Sequence, residues 1–342
     1  MSTQLLLGTY TRRVSEGIYS AVLNPVTNQL DEVSLLAEVG SPTYLDTNED
    51  KSIIYSVINE NDKGGIVTLV KQDDGSYERF AEVVKDGAAP CYVAYDAERQ
   101  YVYTSNYHNG EVAVYKTDVE GNLELSDMVA HTGSSVHENQ GSPHVHYSDL
   151  SPDGNFVIVC DLGTDELYTY EVTEEGKLKE VARLKVAPGT GPRHIAFSQT
   201  LNVAYLFGEL SNEVIVLDYN PMTGEFTEKQ TISTIPEDHT EFNGGAAIRI
   251  SSDGRFVYAS NRGHDSIVVY KTDEDGKLTL VGYTPTEGET PRDFNFDETE
   301  NYLIVGHQDS DNLTLFERNQ EDGTLTLLQK DVEAPEVVCV AL

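Results

Sequence analysis

Tryptophan is absent from the 342 residues, methionine and cysteine number three each, and only 23 Lys and Arg stand against 58 Asp and Glu. Each shortage excludes something. A formal charge of −35 argues against nucleic acid and anionic membrane surfaces as partners, because binding there rests on neutralising phosphate. The acidity itself reads as a solvated surface. No D-x-D-x-D-G loop is present, so it does not specify a calcium site. Cys91, Cys160 and Cys339 are odd in number, far apart and set in apolar runs such as Val157-Ile-Val-Cys160, which predicts buried free thiols and no disulfide framework. No apolar run approaches membrane length, and the first ten residues, Met1-Ser-Thr-Gln-Leu-Leu-Leu-Gly-Thr-Tyr10, lack a basic segment followed by a long apolar one. The expectation is a cytoplasmic protein without disulfides. A chain of this length can bury roughly three quarters of its unfolded surface, so an apolar core suffices without a metal staple.

What is present is a repeat. Pro42, Pro90, Pro143, Pro192, Gly245, Pro291 and Pro335 stand 48, 53, 49, 53, 46 and 44 residues apart. Each opens a run of strand, acidic turn, strand, polar loop and two further strands, the period of a four-stranded blade. One repeat reads Ala246-Ala-Ile-Arg-Ile250, Ser252-Asp-Gly-Arg255, Phe256-Val-Tyr-Ala-Ser260, Asn261-Arg-Gly-His-Asp-Ser266, Ile267-Val-Val-Tyr270 and Lys277-Leu-Thr-Leu-Val281. Short β-branched and aromatic runs bounded by turn residues are strands, and nothing comparable has a helical period. The last opening, at Pro335, has one strand only. Leu5-Leu-Leu-Gly-Thr-Tyr10 and Gly17-Ile-Tyr-Ser-Ala-Val22 supply the others if the terminal strands pair, which also removes open sheet edges. The predicted fold is all-β: one seven-bladed propeller domain spanning 1–342, with four-stranded antiparallel blades and almost no helix. The missing tryptophan excludes a Trp-Asp repeat.

With strands a to d numbered outward from a central channel, the d-to-a connections and the b-to-c loops share one face. The unusual residues fall there: Pro143-His144-Val-His146, Gly191-Pro-Arg193-His194 and Thr290-Pro-Arg292-Asp293 at openings, and Asp161-Leu-Gly163, Phe207-Gly-Glu209 and Asn261-Arg262-Gly-His264 at b-to-c loops. The other face receives plain turns, Ser151-Pro-Asp-Gly154 and Ser252-Asp-Gly254. The two 53-residue intervals lengthen the d-to-a loops around 131–142 and 237–243, which should overhang the first face. Of eleven arginines, Arg193, Arg262 and Arg292 lie in these motifs, and a planar fork of donors suits carboxylate or phosphate. His144 and His146, two apart on a strand, should point to one side. They read as a reactive pair or as structural histidines; no further Cys or His at ligand spacing supports zinc. Glu209 ends an apolar strand and is either a partner for Arg193 or a base. His194, His264, Asp161 and Asp293 read as supports for neighbouring residues or turns, with His194 placed beside the substrate-binding set.

Taken in order and at blade spacing, Ser142-Pro-His-Val-His146, Ser151-Pro-Asp-Gly154, Asp161-Leu-Gly163, Gly191-Pro-Arg-His194, Ser260-Asn-Arg-Gly-His264 and Pro291-Arg-Asp-Phe294 resemble the seven-bladed propeller lactonases, bacterial 6-phosphogluconolactonases and fungal carboxymuconate cyclases among them. The resemblance spans essentially the whole chain and is weakest in the first blade, at Asn59-Glu-Asn-Asp62. It implies a site of one histidine, two arginines and a glutamate, which falls on His146 or His144, Arg193, Glu209 and Arg262, with Arg292 as rival for the last. The expected reaction is hydrolysis of 6-phosphoglucono-δ-lactone, a small anionic sugar lactone, without cofactor or metal. A histidine matches neutral pH as base better than a carboxylate beside arginines, with Glu209 orienting it or, alternatively, acting directly. A muconate-type carboxylated lactone, or a binding propeller without catalysis, are the other readings.

Overall fold

The computed structural model describes residues 3–31 and 33–342. Its strands form seven separate antiparallel sheets, six of them ordered by chain succession. The first strands of six are Leu45–Thr47, Tyr92–Asp96, Val145–Leu150, Pro192–Phe197, Gly244–Ile250 and Pro291–Phe296. We call these sheets blades I to VI. Every one begins within three residues of its predicted Pro or Gly. Blade VII takes its first strand, Val337–Ala341, from the C-terminal end and pairs it with Thr3–Thr9, which pairs in turn with Gly17–Asn24. Its outer strand is in two pieces, Gln29–Leu30 and Ser34–Glu38. The fold expected from the repeat, seven four-stranded blades with the terminal strands paired, is the one observed. Among the described residues the only helix is one 3₁₀ turn, Glu138–Gln140, and no helix is long and apolar enough to cross a membrane.

The chain divides into two compact units, one of Val39–Arg193 with Tyr219–Thr227, the other of Met1–Glu38, His194–Asp218 and Glu228–Leu342. Within each, consecutive blades pack face to face. In the first, Ile53, Tyr55, Val57 and Ile66 of blade I meet Val93, Val102 and Ala113 of blade II, and Tyr103, Val112 and Val114 meet Val145, Val157 and Val159 of blade III. In the second, Tyr205, Phe207 and Val216 meet Ile248, Val257 and Tyr270, Phe256 and Tyr258 meet Phe294, Phe296 and Phe316, and Ile304 and Leu315 meet Leu5, Leu7 and Val340. A strand covered on both faces has no reason to alternate, which is why Val157–Asp161 and Val203–Gly208 are buried throughout. Each large side chain so buried contributes about 1.5–3 kcal/mol. Hydroxyls tie neighbours together: Thr68 Oγ1 donates to the carbonyl of Gly121 at 2.8 Å, Tyr205 to Gly276 at 3.0 Å and Tyr258 to Gly323 at 2.9 Å. The outermost strands, such as Leu178–Lys185 with Lys179, Glu180, Arg183 and Lys185, carry charge on their free edges, which discourages edge-to-edge pairing.

Candidate functional site

The b-to-c turns are tight. In blade I, Glu60 pairs with Lys63 across Asn61 and Asp62, both left-handed at φ 53° and 62°. This is the two-residue hairpin in which both central residues need positive φ, so the least typical loop of the sequence is a sharp turn after all. In later blades one left-handed residue closes each turn: Asp165 at φ 57°, Asn212 at 55°, Asp265 at 49° and Asp311 at 54°. Asn and Asp tolerate this region better than other side chains. Their side chains then reach the next blade opening. Asp165 accepts N–H groups of Gly189 and Gly191, both at 2.7 Å, directly ahead of Pro192-Arg193. Asp265 accepts that of Thr290 at 3.0 Å, ahead of Pro291-Arg292, and Asp311 that of Glu336 at 2.8 Å. Asp165 and Asp265 set where the Arg193 and Arg292 motifs start and Asp311 does the same for the last blade opening, and the sequence reading passed over all three.

In the first unit, His144 precedes the first strand of blade III, and its Nδ1 lies 2.8 Å from the carbonyl oxygen of Tyr107. A carbonyl only accepts, so Nδ1 carries a hydrogen, and in the neutral ring Nε2 carries the lone pair. The Tyr107 ring stacks on the imidazole at 4.2 Å and 13°. His146, 5% exposed, is the extra residue of a bulge, since Val145 pairs with Asp161 and Tyr147 with Cys160. The alternation argument therefore fails for this pair. Both rings nevertheless meet Tyr107, His146 edge-on at 5.9 Å, because a bulge re-aims the side chain it inserts. Asp161, fully buried, fixes this corner: Oδ1 accepts N–H groups of His144 at 2.8 Å, Gly163 at 3.0 Å and Thr164 at 3.2 Å. Its Oδ2 lies 2.7 Å from Nδ1 of His131, whose Nε2 faces the Tyr170 hydroxyl at 3.0 Å. Gly163 is required there, because a Cβ would stand 1.9 Å from the Ser142 carbonyl oxygen. The 131–142 connection is pinned at both ends: His131 is buried, and Gln140, fully buried, donates to Leu162 O and Asp165 at 2.8 and 2.7 Å. Arg193, at the end of this unit, is 3% exposed. Cys160 is buried and its thiol pushed well up by burial, whereas Cys91 is half-buried, contrary to expectation; all three thiols are free.

In the second unit, Glu209 and Arg262 form an ion pair, Oε2 to Nη2 at 3.0 Å, with side chains 20% and 14% exposed. Arg262 also donates to Gly245 O at 2.7 Å, and Gly245 N donates to Glu209 O at 3.0 Å. Gly245 lies against Phe207, where a Cβ would come within 2.6 Å of the ring, so an apolar wall supports the pair. Of the two rival arginines it is Arg262 that touches Glu209. Arg292, again the bulged residue of its strand, donates to Gln308 Oε1 at 3.2 Å and rests on the Tyr10 ring at 5.7 Å. Its neighbour Asp293 pairs instead with Arg249 at 3.1 Å and accepts Val340 N at 2.8 Å, a structural role. His194 is buried. His264 faces Ser266 Oγ at 2.7 Å and His239 edge-on at 4.9 Å; burial first, then His239, lowers its pKa. Among the described residues no three His, Cys, Asp or Glu side chains gather as a metal site.

Residues 4–342 match the family model described as lactonase, 7-bladed beta-propeller. The chain belongs to that family. This lactonase is 45% identical over 337 residues to a Bacillus subtilis protein named 6-phosphogluconolactonase, covering 98% of this chain and 96% of that one. Among solved structures it is similar to a Lactobacillus plantarum protein, TM-score 0.97 at 44% identity over 100% of this chain and 99% of that one. It is also similar to the Pseudomonas aeruginosa periplasmic gluconolactonase, 0.93 at 29% identity over 99% and 98%. The lactonase is thus a hydrolase of lactones, and its chemistry is opening of a cyclic ester by water.

Proposed function

We propose that the lactone is 6-phosphoglucono-δ-lactone, opened to 6-phosphogluconate. The observation that carries the substrate is the identity of 45% over almost the full length of the Bacillus subtilis 6-phosphogluconolactonase. Three arginines placed at blade openings and b-to-c turns of so acidic a chain support an anionic substrate.

In this reading His144 is the base. Its Nδ1–H is committed to Tyr107 O and leaves Nε2 as proton acceptor. Nε2 takes a proton from water as the oxygen attacks C1. The carbonyl oxygen gains charge and is met by the Arg193 guanidinium. The C1–O5 bond then breaks and the proton passes from Nε2 to O5, leaving a free hydroxyl and a carboxylic acid, which releases its remaining proton to solvent and becomes the carboxylate. Arg262, paired with Glu209, and Arg292 are the proposed binders of the substrate's anionic groups, and His194 is assigned to the same binding set. His146, more deeply buried and on the bulge, is the lesser choice as base, and Glu209 acting directly is the alternative. A positioned base is worth on the order of 10²–10⁴-fold and one oxyanion donor on the order of 10²–10³-fold.

The test is lactone opening with 6-phosphoglucono-δ-lactone, corrected for spontaneous hydrolysis, with wild type beside His144→Gln and Arg193→Ala. Wild type should exceed the buffer blank and both variants should lose at least about a hundred-fold. A wild-type rate equal to the blank overturns the substrate; an active His144→Gln variant overturns that residue's role.

A further inference from the structure

The N-terminal loop brings two more arginines into the second unit. The Glu336 side chain, 3% exposed, accepts the backbone N–H groups of Arg12, Arg13, Val14 and Ser15 at 3.1, 2.9, 3.0 and 3.2 Å. Tyr10 N donates to Glu336 O at 3.1 Å. One carboxylate therefore fixes the whole stretch, and the side chains it presents differ in their partners. Arg13 is neutralised by Asp311 at 2.5 Å. The exposed Arg12 lies on the Tyr10 ring at 3.7 Å, and Arg292 rests on the same ring at 5.7 Å. Among the described residues no carboxylate reaches either guanidinium; Arg292 has only the neutral Gln308 amide.

In a chain with more than two carboxylates for every cation, two guanidiniums sharing one ring without a carboxylate are conspicuous. Surface arginines in such a field find acidic partners, as Arg79, Arg99, Arg183 and Arg255 do. Two like charges held near one another repel unless an anion joins them. Holding them is costly to arrange by accident, since it takes a buried carboxylate under one arginine and a left-handed β-branched residue, Thr290 at φ 60°, before the other. Strained positions of this kind cluster at active sites and ligand clamps.

We infer that Arg12 and Arg292, laid against Tyr10, form an anion subsite that takes the phosphate monoester of the substrate. This deepens the proposed function and rests on it for the identity of the ligand. A phosphate dianion with three acceptor oxygens matches two forks of donors. The chemistry of ring opening lies elsewhere, so the subsite sets which lactone is bound and leaves the rate of bond breaking to the other residues.

The experiment compares full-length wild type, Arg12→Ala and Arg12→Lys on two lactones, 6-phosphoglucono-δ-lactone and glucono-δ-lactone, with calorimetric titration of inorganic phosphate alongside. Arg12→Ala should raise KM for the phosphorylated lactone about ten-fold or more and leave its kcat within two-fold, from the loss of one charge-assisted contact. Glucono-δ-lactone kinetics should stay within about two-fold, Arg12→Lys should recover part of the loss, and phosphate binding should weaken with KM. Unchanged KM for the phosphorylated lactone, or equal losses on both lactones, overturns the subsite while leaving the proposed reaction standing. Should wild type fail to turn over the phosphorylated lactone, the proposed reaction falls, and the phosphate titration decides the subsite alone: binding weakened by Arg12→Ala supports it, and no difference overturns it.

Discussion

Replacing Asp161 by alanine should cost far more than replacing it by asparagine, and the difference measures how the His144 corner is held. Alanine leaves the buried N–H groups of His144, Gly163 and Thr164, and Nδ1 of His131, without their acceptor. Each unsatisfied buried group costs about 1–3 kcal/mol, but they share one gap that solvent can partly refill, so the sum is not additive. A total of about 3–5 kcal/mol is expected, as for removing one partner of a buried ionic network. Asparagine keeps an oxygen for the three N–H groups and turns its amide to His131, which can accept at Nδ1 and donate from Nε2 to the Tyr170 hydroxyl. About 1 kcal/mol is expected there, comparable to one ordinary hydrogen bond. Urea unfolding followed by far-UV circular dichroism resolves the two if the slope is shared, because total stabilities are only about 5–15 kcal/mol. The alanine variant should also lose lactone hydrolysis under conditions where it remains folded, because the His144 backbone is no longer fixed. Equal midpoints for the two variants would refute the reasoning.

Gly163→Ala should destabilise by several kcal/mol, since its Cβ would sit 1.9 Å from Ser142 O and the obstacle is backbone; a wild-type melting temperature would contradict the close approach. Asp149 has its pKa pushed up to about 7, first by burial and then by Asp46. The folded chain thus holds a proton that the unfolded chain releases near pH 3.8, and stability falls as pH rises from about 4 to about 7. Asp149→Asn should flatten that slope and exceed wild type at pH 8; a parallel pair of stability curves would count against it. Glu209→Gln should weaken the grip on Arg262 and raise KM more than it lowers kcat, whereas a large loss of kcat at unchanged KM would support Glu209 acting directly and wild-type kinetics would remove Glu209 from the mechanism.

The blade pattern was legible because it is written locally. Pro and Gly at openings, β-branched runs and Ser-x-Asp-Gly turns each act within a few residues, and the strands begin within three residues of the positions they predict. The side chains proposed for the site stand in the same local motifs. Their partners were not, because a partner is chosen by the next blade. Arg262, at the end of the fourth strand after Glu209, gives that carboxylate an ion pair that the sequence did not show. His131 stood in what read as a surface insertion, and it is buried because Asp161 needs a donor on Oδ2. The left-handed aspartates look like ordinary turn residues until their carboxylates are seen catching openings some 25 residues later. Arg12 was invisible as a companion of Arg292, since only pairing of the terminal strands puts residue 10 on residue 336.

That same pairing, Thr3–Thr9 against Val337–Ala341, has a consequence for how the chain is made. The earlier strand of this pair cannot complete its sheet until its partner, more than three hundred residues later in the chain, has left the ribosome. It is among the longest-range contacts the chain makes, and contacts of high sequence separation are the slow ones. At a synthesis rate of about 5–20 residues per second, the first strand waits for tens of seconds with an open edge. The clustered arginines of residues 12 and 13 stay unplaced over the same interval, because Glu336 has not yet been made. The proposed phosphate subsite thus waits for Glu336, and chains lacking the C-terminal strand should be unable to discriminate between phosphorylated and plain lactones even where the middle blades have formed.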